Sequence, residues 1–188
     1  MSIRRSTSQP GRALRWKVST VLLTLATTAA GVLLATSPAQ ADAPASDLLI
    51  SNLSWLNLGV RGGSYNAGTD VIQWTATGGN DQKWWSFYYI GESSTVHRFE
   101  NINSGLCMTT DGVAGHALTQ QPCSSDNPRQ AWLPSYVWWA AGYTLYNAAT
   151  GLNMDVAGAS YGAGAEIDAW YPNNQLNQVF SMPGDNRL

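Results

Sequence analysis

Charge is scarce in this sequence. Only 10 Lys and Arg and 12 Asp and Glu stand among 188 residues, with two histidines and two cysteines. The shortage is uneven along the chain. Residues 1–41 hold five basic residues (Arg4, Arg5, Arg12, Arg15, Lys17) and no acid, so the remainder carries five basic against twelve acidic residues, a net −7. A surface of that sign repels phosphate, which argues against nucleic acid and anionic membranes as partners. Cys107 and Cys123 lie sixteen positions apart. In a secreted chain their default state is one disulfide, closing a loop worth about 3 kcal/mol in the chain-entropy model. A metal site is the rival reading, but no further Cys or His sits at ligand spacing. Neither metal nor cofactor is expected. His97 and His116 are far apart, with no Ser, Cys or Asp constellation evident around them, and read as ordinary strand or turn residues. Helix signals are missing too: there are no heptads, no amphipathic stretch of useful length, and no low-complexity block.

The first 41 residues read as a targeting segment. The basic start is followed by an apolar run over about 18–34 and then by Ala39-Gln40-Ala41, a small-x-small cleavage site. A membrane anchor is the alternative, disfavoured because the run is short and Thr-rich. Arg4-Arg5 stands too far from the run for a good twin-arginine signal. The mature chain is therefore expected to be secreted and free of the membrane. Residues 42–47 (DAPASD) form a small, polar lead-in expected to be flexible.

From Leu48 onward, short apolar runs alternate with turn clusters such as Arg61-Gly62-Gly63-Ser64 and Thr77-Gly78-Gly79-Asn80. This is the pattern of many short strands. A repeat organises them. Gln82-Lys83-Trp84, Gln130-Ala131-Trp132 and Gln178-Val179-Phe180 recur at a spacing of 48 and again 48. Each is preceded by an Asn with an apolar residue six or seven positions later (Asn52 and Leu58, Asn101 and Met108, Asn147 and Met154), and then by Gly68, Gly115 or Gly164. Units of this size cannot bury a core singly. Packed about a three-fold axis they can, with the Trp or Phe of each pointing inward.

Three Gln-x-Trp-like units, with the run SGLCM and a second Cys in one of them, resemble the ricin B-chain-type (R-type) lectin domain. That family is also classed as a carbohydrate-binding module. The resemblance spans residues 48–188, as repeats of about 48–94, 95–141 and 142–188. It implies an all-β β-trefoil: a six-stranded barrel capped by three hairpins, with up to one sugar site per repeat. In that family the site uses an Asp behind the first apolar residue, an aromatic after the turn, and a closing Asn-Gln pair. Each has a chemical reason. A carboxylate accepts charge-assisted bonds from neighbouring ring hydroxyls, an aromatic face covers the sugar's C–H patch, and an amide supplies both donor and acceptor.

The copies differ in what they keep. The first has Gly59 where the Asp is expected, keeps Trp74, and closes with Asp81-Gln82; Trp74 then reads as packing. The second has Thr109, Gln121 and Arg129 at the three positions. Asp111 follows two residues later, facing another direction, so this copy reads as structural. The third, over 150–180, keeps the full set: Asp155 behind Met154, Trp170, and Asn177-Gln178, with Asp168 two residues before Trp170. Asn153 and Phe180, where the family has a half-cystine and a Trp, read as scaffold. For Asp155 the bland alternative is a turn-forming carboxylate. Gln178 is expected to be chiefly structural. Trp84-Trp85 and Trp138-Trp139 are adjacent pairs, of which a strand would bury one member each.

The expected function is therefore a non-catalytic protein that binds a glycan or polysaccharide, galactose-type or xylan-type, through one site of Asp155, Asp168, Trp170, Asn177 and Gln178. Three alternatives compete. A glycoside hydrolase would need two carboxylates across a scissile bond, and Asp155, Glu166 and Asp168 are the candidates. A protease inhibitor would use one exposed loop of the same fold. A domain with three degenerate sites would bind another protein.

Overall fold

The computed structural model describes residues 46–88 and 96–183. The expected targeting segment and residues 42–45 lie outside the described residues. Glycine, proline and polar turn residues interrupt the chain every few positions, so its strands are short. They are β1 (Ser46–Asp47), β2 (Ile50–Ser51), β3 (Asn57–Val60), β4 (Val71–Trp74), β5 (Trp84–Tyr88), β6 (His97–Asn101) and β7 (Cys107–Thr109). There follow β8 (Thr119–Gln121), β9 (Leu133–Val137), β10 (Gly142–Asn147), β11 (Leu152–Val156), β12 (Ile167–Trp170) and β13 (Phe180–Ser181). Among the described residues no helix is long and apolar enough to cross a membrane.

The pairing closes a ring. β1 pairs β5, β5 pairs β6, and the His97↔Trp132 bridge joins β6 to the start of β9. β9 pairs β10, β10 pairs β13, and β13 pairs β2, which continues β1 along the chain. All of these pairs are antiparallel. The result is the expected six-stranded barrel, with β1 and β2 together as its first strand. That strand starts at Ser46, so the last two residues of the expected lead-in belong to the barrel rather than to a free segment.

Three hairpins cap it: β3/β4, β7/β8 and β11/β12. Their far ends knit together, through Val71 N–H to the Leu118 carbonyl (2.8 Å), Leu118 N–H to Ile167 (2.7 Å) and Gln73 N–H to Ala165 (2.9 Å). The core repeats the three-fold pattern in layers. Leu49, Phe99 and Leu145 form one; Leu58, Met108 and Met154 a second; Val71, Leu118 and Ile167 a third; all nine are fully buried. Trp84, Trp132 and Phe180, the aromatics of the Gln-x-aromatic units, are fully buried as well. Each side chain of this kind removed from water contributes about 1.5–3 kcal/mol, and no single repeat holds enough of them to fold by itself.

The buried indoles need partners for their N–H groups. Trp84 Nε1 donates to the Leu58 carbonyl (3.1 Å) and Trp132 Nε1 to that of Met108 (3.4 Å). Phe180 fills the third position without that requirement. The two Trp pairs divide differently from each other. Trp84 is buried and Trp85 half-buried, as strand alternation requires, but Trp138 and Trp139 are both exposed, at 82% and 50%. They lie beyond the end of β9, where alternation no longer applies.

Candidate functional site

The three glutamines show first how each site loop is shaped. Gln178 is fully buried; its Nε2 donates to the Tyr171 carbonyl (2.9 Å) and its Oε1 accepts from the Asn173 N–H (3.0 Å). Gln82 does the same for Thr75 and Thr77, and Gln130 for Pro122 and Ser124. In each repeat a buried amide pins the loop that follows the second strand of the cap hairpin, β4, β8 or β12. The structural role expected of Gln178 is visible in these bonds.

In the third repeat the same glutamine does more. Gln178 Nε2 also donates to Asp155 Oδ2 (2.7 Å), and Asn177 Nδ2 donates to that oxygen as well (2.7 Å). Asn153 Nδ2 donates to Gln178 Oε1 (3.0 Å), which fixes the amide's orientation from below. Asn173 Nδ2 also reaches Asp155 Oδ2, at 3.5 Å, so three amides hold one carboxylate oxygen, and none of the described residues donates to Asp155 Oδ1. Asp155 does not bond its own turn; it sits in the middle of β11, so the bland alternative fails on position. Asp168 stands directly across from it in the β11/β12 register. Facing residues on an antiparallel pair bring their Cβ atoms to about 5 Å, so the two carboxyls share one floor. Both are buried, 3% and 6% exposed, and Asp168 Oδ1 has no hydrogen-bond partner among the described residues.

Two buried like charges are costly, and their proton affinities respond. Burial raises Asp155 above the usual carboxylate range, and the bonds from Gln178 and Asn177 oppose that rise. Burial, then the charges of Asp155 and Glu166, push Asp168 up to about 7. The amide bonds favour the charged form of Asp155, whereas Asp168 Oδ1 has no such donor among the described residues.

Trp170 forms the wall. It is 44% exposed and lies over Gly115 of the second repeat, where an added Cβ would stand 2.9 Å from its ring. Gly115 also has φ +83°, a conformation that a side chain disfavours. Trp74 packs over Gly164 in the same manner and is also 44% exposed, so part of its surface stays open to solvent. The opposite wall is the turn Gly158-Ala159, both with positive φ (62° and 49°). With Asn173 these groups line a pocket of about 300 Å³ that contains Asp155, Asp168, Trp170 and Asn177. Gln178 sits beneath it. Asn173 is the residue sequence reasoning missed. Its signal lay in the fixed interval to Gln178, five residues on, matched by Thr77 and Gln82.

The other copies behave as their residues dictate. Thr109 is buried and accepts from Gln130 Nε2 (3.0 Å), so the second copy has closed its floor with a hydroxyl. Cys107 and Cys123 form the expected disulfide. Glu100 lies beside them, the one group of possible metal ligands among the described residues, but both sulfurs are engaged with each other. Asp111 accepts or shares a proton with exposed His116 (2.8 Å). Ser86 Oγ meets His97 Nδ1 at 2.6 Å, with both residues 1% exposed. These two partnerships correct the expectation that neither histidine has an acidic or hydroxyl partner. Both pairs form across strands or turns, which sequence distance conceals. Glu166 is not on the floor with the two aspartates; it is exposed and paired with Arg61 (3.3 Å).

Residues 85–170 match the family described as ricin-type beta-trefoil lectin domain-like. No curated protein matches the chain. Among solved structures, the designed three-fold symmetric protein ThreeFoil aligns with a TM-score of 0.66 at 23% identity, over 73% of this chain and 96% of its own. The C-half of the earthworm R-type lectin, solved with GalNAc, aligns at 0.58 and 21%, over 74% of this chain and 98% of its own. An exo-β-1,3-galactanase from Clostridium thermocellum aligns at 0.66 and 20%, over 75% of this chain but only 30% of the enzyme's. At these identities the likeness is one of fold. The chain thus has the β-trefoil fold, and its residues 85–170 are similar to the ricin-type lectin family.

Proposed function

We propose that this chain is a secreted, non-catalytic carbohydrate-binding protein whose sugar site is the third-repeat pocket. The observation that carries the reading is the Asp155 carboxylate, held by Asn177 and Gln178 through one oxygen and facing the exposed face of Trp170 across the pocket. A pyranose ring brings two needs at once, acceptors for neighbouring hydroxyls and a flat apolar surface for its C–H face. Here both are met by groups that are already fixed, so little ordering cost remains to binding. The ligand classes this supports are galactose-type and xylan-type sugars.

Non-catalysis is supported by where the carboxyls stand. Asp155 and Asp168 share one side of the pocket floor, whereas glycoside hydrolysis places its two carboxyls on either side of the scissile bond. The Ser86–His97 pair is buried and offers no access to a substrate.

One small site buries little area, so monovalent affinity is expected on the order of millimolar, about −4 kcal/mol. The test is a glycan array, followed by pull-down on galactose- and xylan-containing polysaccharides, with the mature protein beside Asp155→Ala and Trp170→Ala. Retention by the parent and loss of at least tenfold in both variants is expected. Equal retention by all three would remove the site from this pocket, and reducing-sugar release abolished by Asp155→Asn would make the protein an enzyme.

A further inference from the structure

A second pocket is larger than the one above. It lies at the corresponding place in the first repeat, has a volume of about 450 Å³, and includes Trp74, Ile72, Val60, Asp81 and the turn Gly62-Gly63. Its floor has the opposite chemistry. In register, Gly59 faces Ile72 where the third repeat has Asp155 facing Asp168. No acceptor for a sugar's hydroxyls remains there. A side chain at position 59 is also blocked, since its Cβ would lie 2.9 Å from Gln82 Cγ and 3.2 Å from the Asp81 carbonyl oxygen.

The carboxylate of this pocket stands at the rim instead. Asp81 takes the place of Asn177, and its side chain is partly buried against the Gly63 wall, where an added Cβ would be 3.9 Å from its Cγ. Gly79 leaves the space that Asp81 Oδ1 occupies. No described residue donates to this carboxylate. Arg61, the cation on the pocket wall, is engaged by Asp70 (3.2 Å) and Glu166 (3.3 Å), and Lys83 turns to Asn80 (3.3 Å). The pocket thus combines an exposed indole face, an apolar floor and one unpaired anion, inside a local balance of one Arg against three acids.

We propose that the first-repeat pocket is a second binding site, for an amino sugar, with its ammonium group on the Asp81 carboxylate and its ring against Trp74. Each feature answers to that ligand. The ammonium gains a charge-assisted bond and the attraction of a nearby indole face. The C–H surface of the ring meets Trp74 and Ile72 in place of water. A neutral sugar that depends on floor acceptors gains nothing here. The two sites of one chain therefore select different ligands, and this reading stands whether or not the third-repeat site binds sugar.

The experiment is calorimetric titration of the mature protein with glucosamine oligomers and with their N-acetylated counterparts, at pH 6 and low salt. The parent, Asp81→Asn, Trp74→Ala and Asp126→Asn are compared, with circular dichroism to confirm that each is folded. Glucosamine oligomers are expected to bind at least tenfold more tightly than the acetylated ones and to weaken as salt is raised. Asp81→Asn and Trp74→Ala should each lose tenfold or more. Asp126→Asn, which removes the same charge from an exposed turn, should leave binding unchanged. Absence of binding at millimolar ligand, equal binding of acetylated oligomers, indifference to Asp81→Asn, or an equal loss in Asp126→Asn would each overturn the proposal.

Discussion

Asp155 and Asp168 differ by what surrounds them rather than by what they are. Asp155 Oδ2 accepts two amide bonds at 2.7 Å, while Asp168 is buried across from it with an unpartnered oxygen. The cost falls on Asp168, whose carboxyl is pushed from its ordinary 3.8 to about 7. A group with a raised folded-state value supports the fold fully below its unfolded value and loses that support as pH rises through the folded one. Stability referred to this residue should therefore decline between about pH 4 and pH 7. Thermal melts of parent and Asp168→Asn across that range are the check. The parent's melting temperature should fall relative to the variant's by several degrees as pH rises, and a constant difference would mean that Asp168 ionises freely. Charged groups near Asp168 on the neighbouring elements are Asp155, Glu166 with its partner Arg61, and His116 paired with Asp111. His116 adjoins the Ala117↔Asp168 bridge and pairs with Asp111, so Asp168→Asn is also measured in a His116→Gln background.

At the scale of elements, the hairpin caps decide how the walls of the sites stand. The tip of each cap docks onto the next repeat, through Gly68 N–H to the Gln120 carbonyl, Gly115 to Ala169 and Gly164 to Gln73, at 2.7–2.8 Å. All three glycines have φ between 83° and 91°. Only two of them lie under a tryptophan. An alanine at Gly68 meets nothing within 4 Å and incurs the backbone cost alone, about 1–2 kcal/mol. At Gly115 the same change also drives a methyl into Trp170. Gly68→Ala and Gly115→Ala should therefore be destabilised to similar first order, while only Gly115→Ala loses severalfold in affinity for the third-site ligand. Equal affinities in the two variants would show that Trp170 does not need its present position.

The whole molecule gains its stability from three-fold packing, and one covalent tie is added to the copy whose site is closed. Cys107–Cys123 spans 16 residues. Its reduction should remove about 3 kcal/mol, or roughly 6–12 °C of melting temperature for a domain of about 150 residues. The third-site affinity should survive, because the ring of strands closes without the disulfide. Scanning calorimetry with and without reductant, followed by a binding measurement on the reduced protein, reads both quantities. A loss of binding at temperatures where the reduced protein is still folded would contradict that independence.

Much of this was legible in the sequence because repetition is a pattern that needs no coordinates. The 48-residue interval of Gln-x-aromatic placed Trp84, Trp132 and Phe180 inward, and a unit too small to bury its own core required partners about an axis. The difference between the copies was legible too, since Gly59 and Thr109 lack a carboxylate whatever their surroundings. Register and direction were not. That Asp168 faces Asp155 rather than Glu166, that Asn173 joins the pocket, and that His97 meets Ser86 depend on which strands pair and where each turn closes, which are sums over contacts distant in the chain. Exposure was equally hidden: Trp84 and Trp138 are the same residue in the same kind of doublet, and only the end of β9 separates a core side chain from a solvent-facing one. Residue types and their spacing thus determined a three-fold all-β packing and which repeat retains a sugar-type set, while the trefoil followed from the resemblance to the R-type lectins. The tertiary structure decided how charge is shared within that set, because proton affinity follows burial and neighbours that only folding brings together.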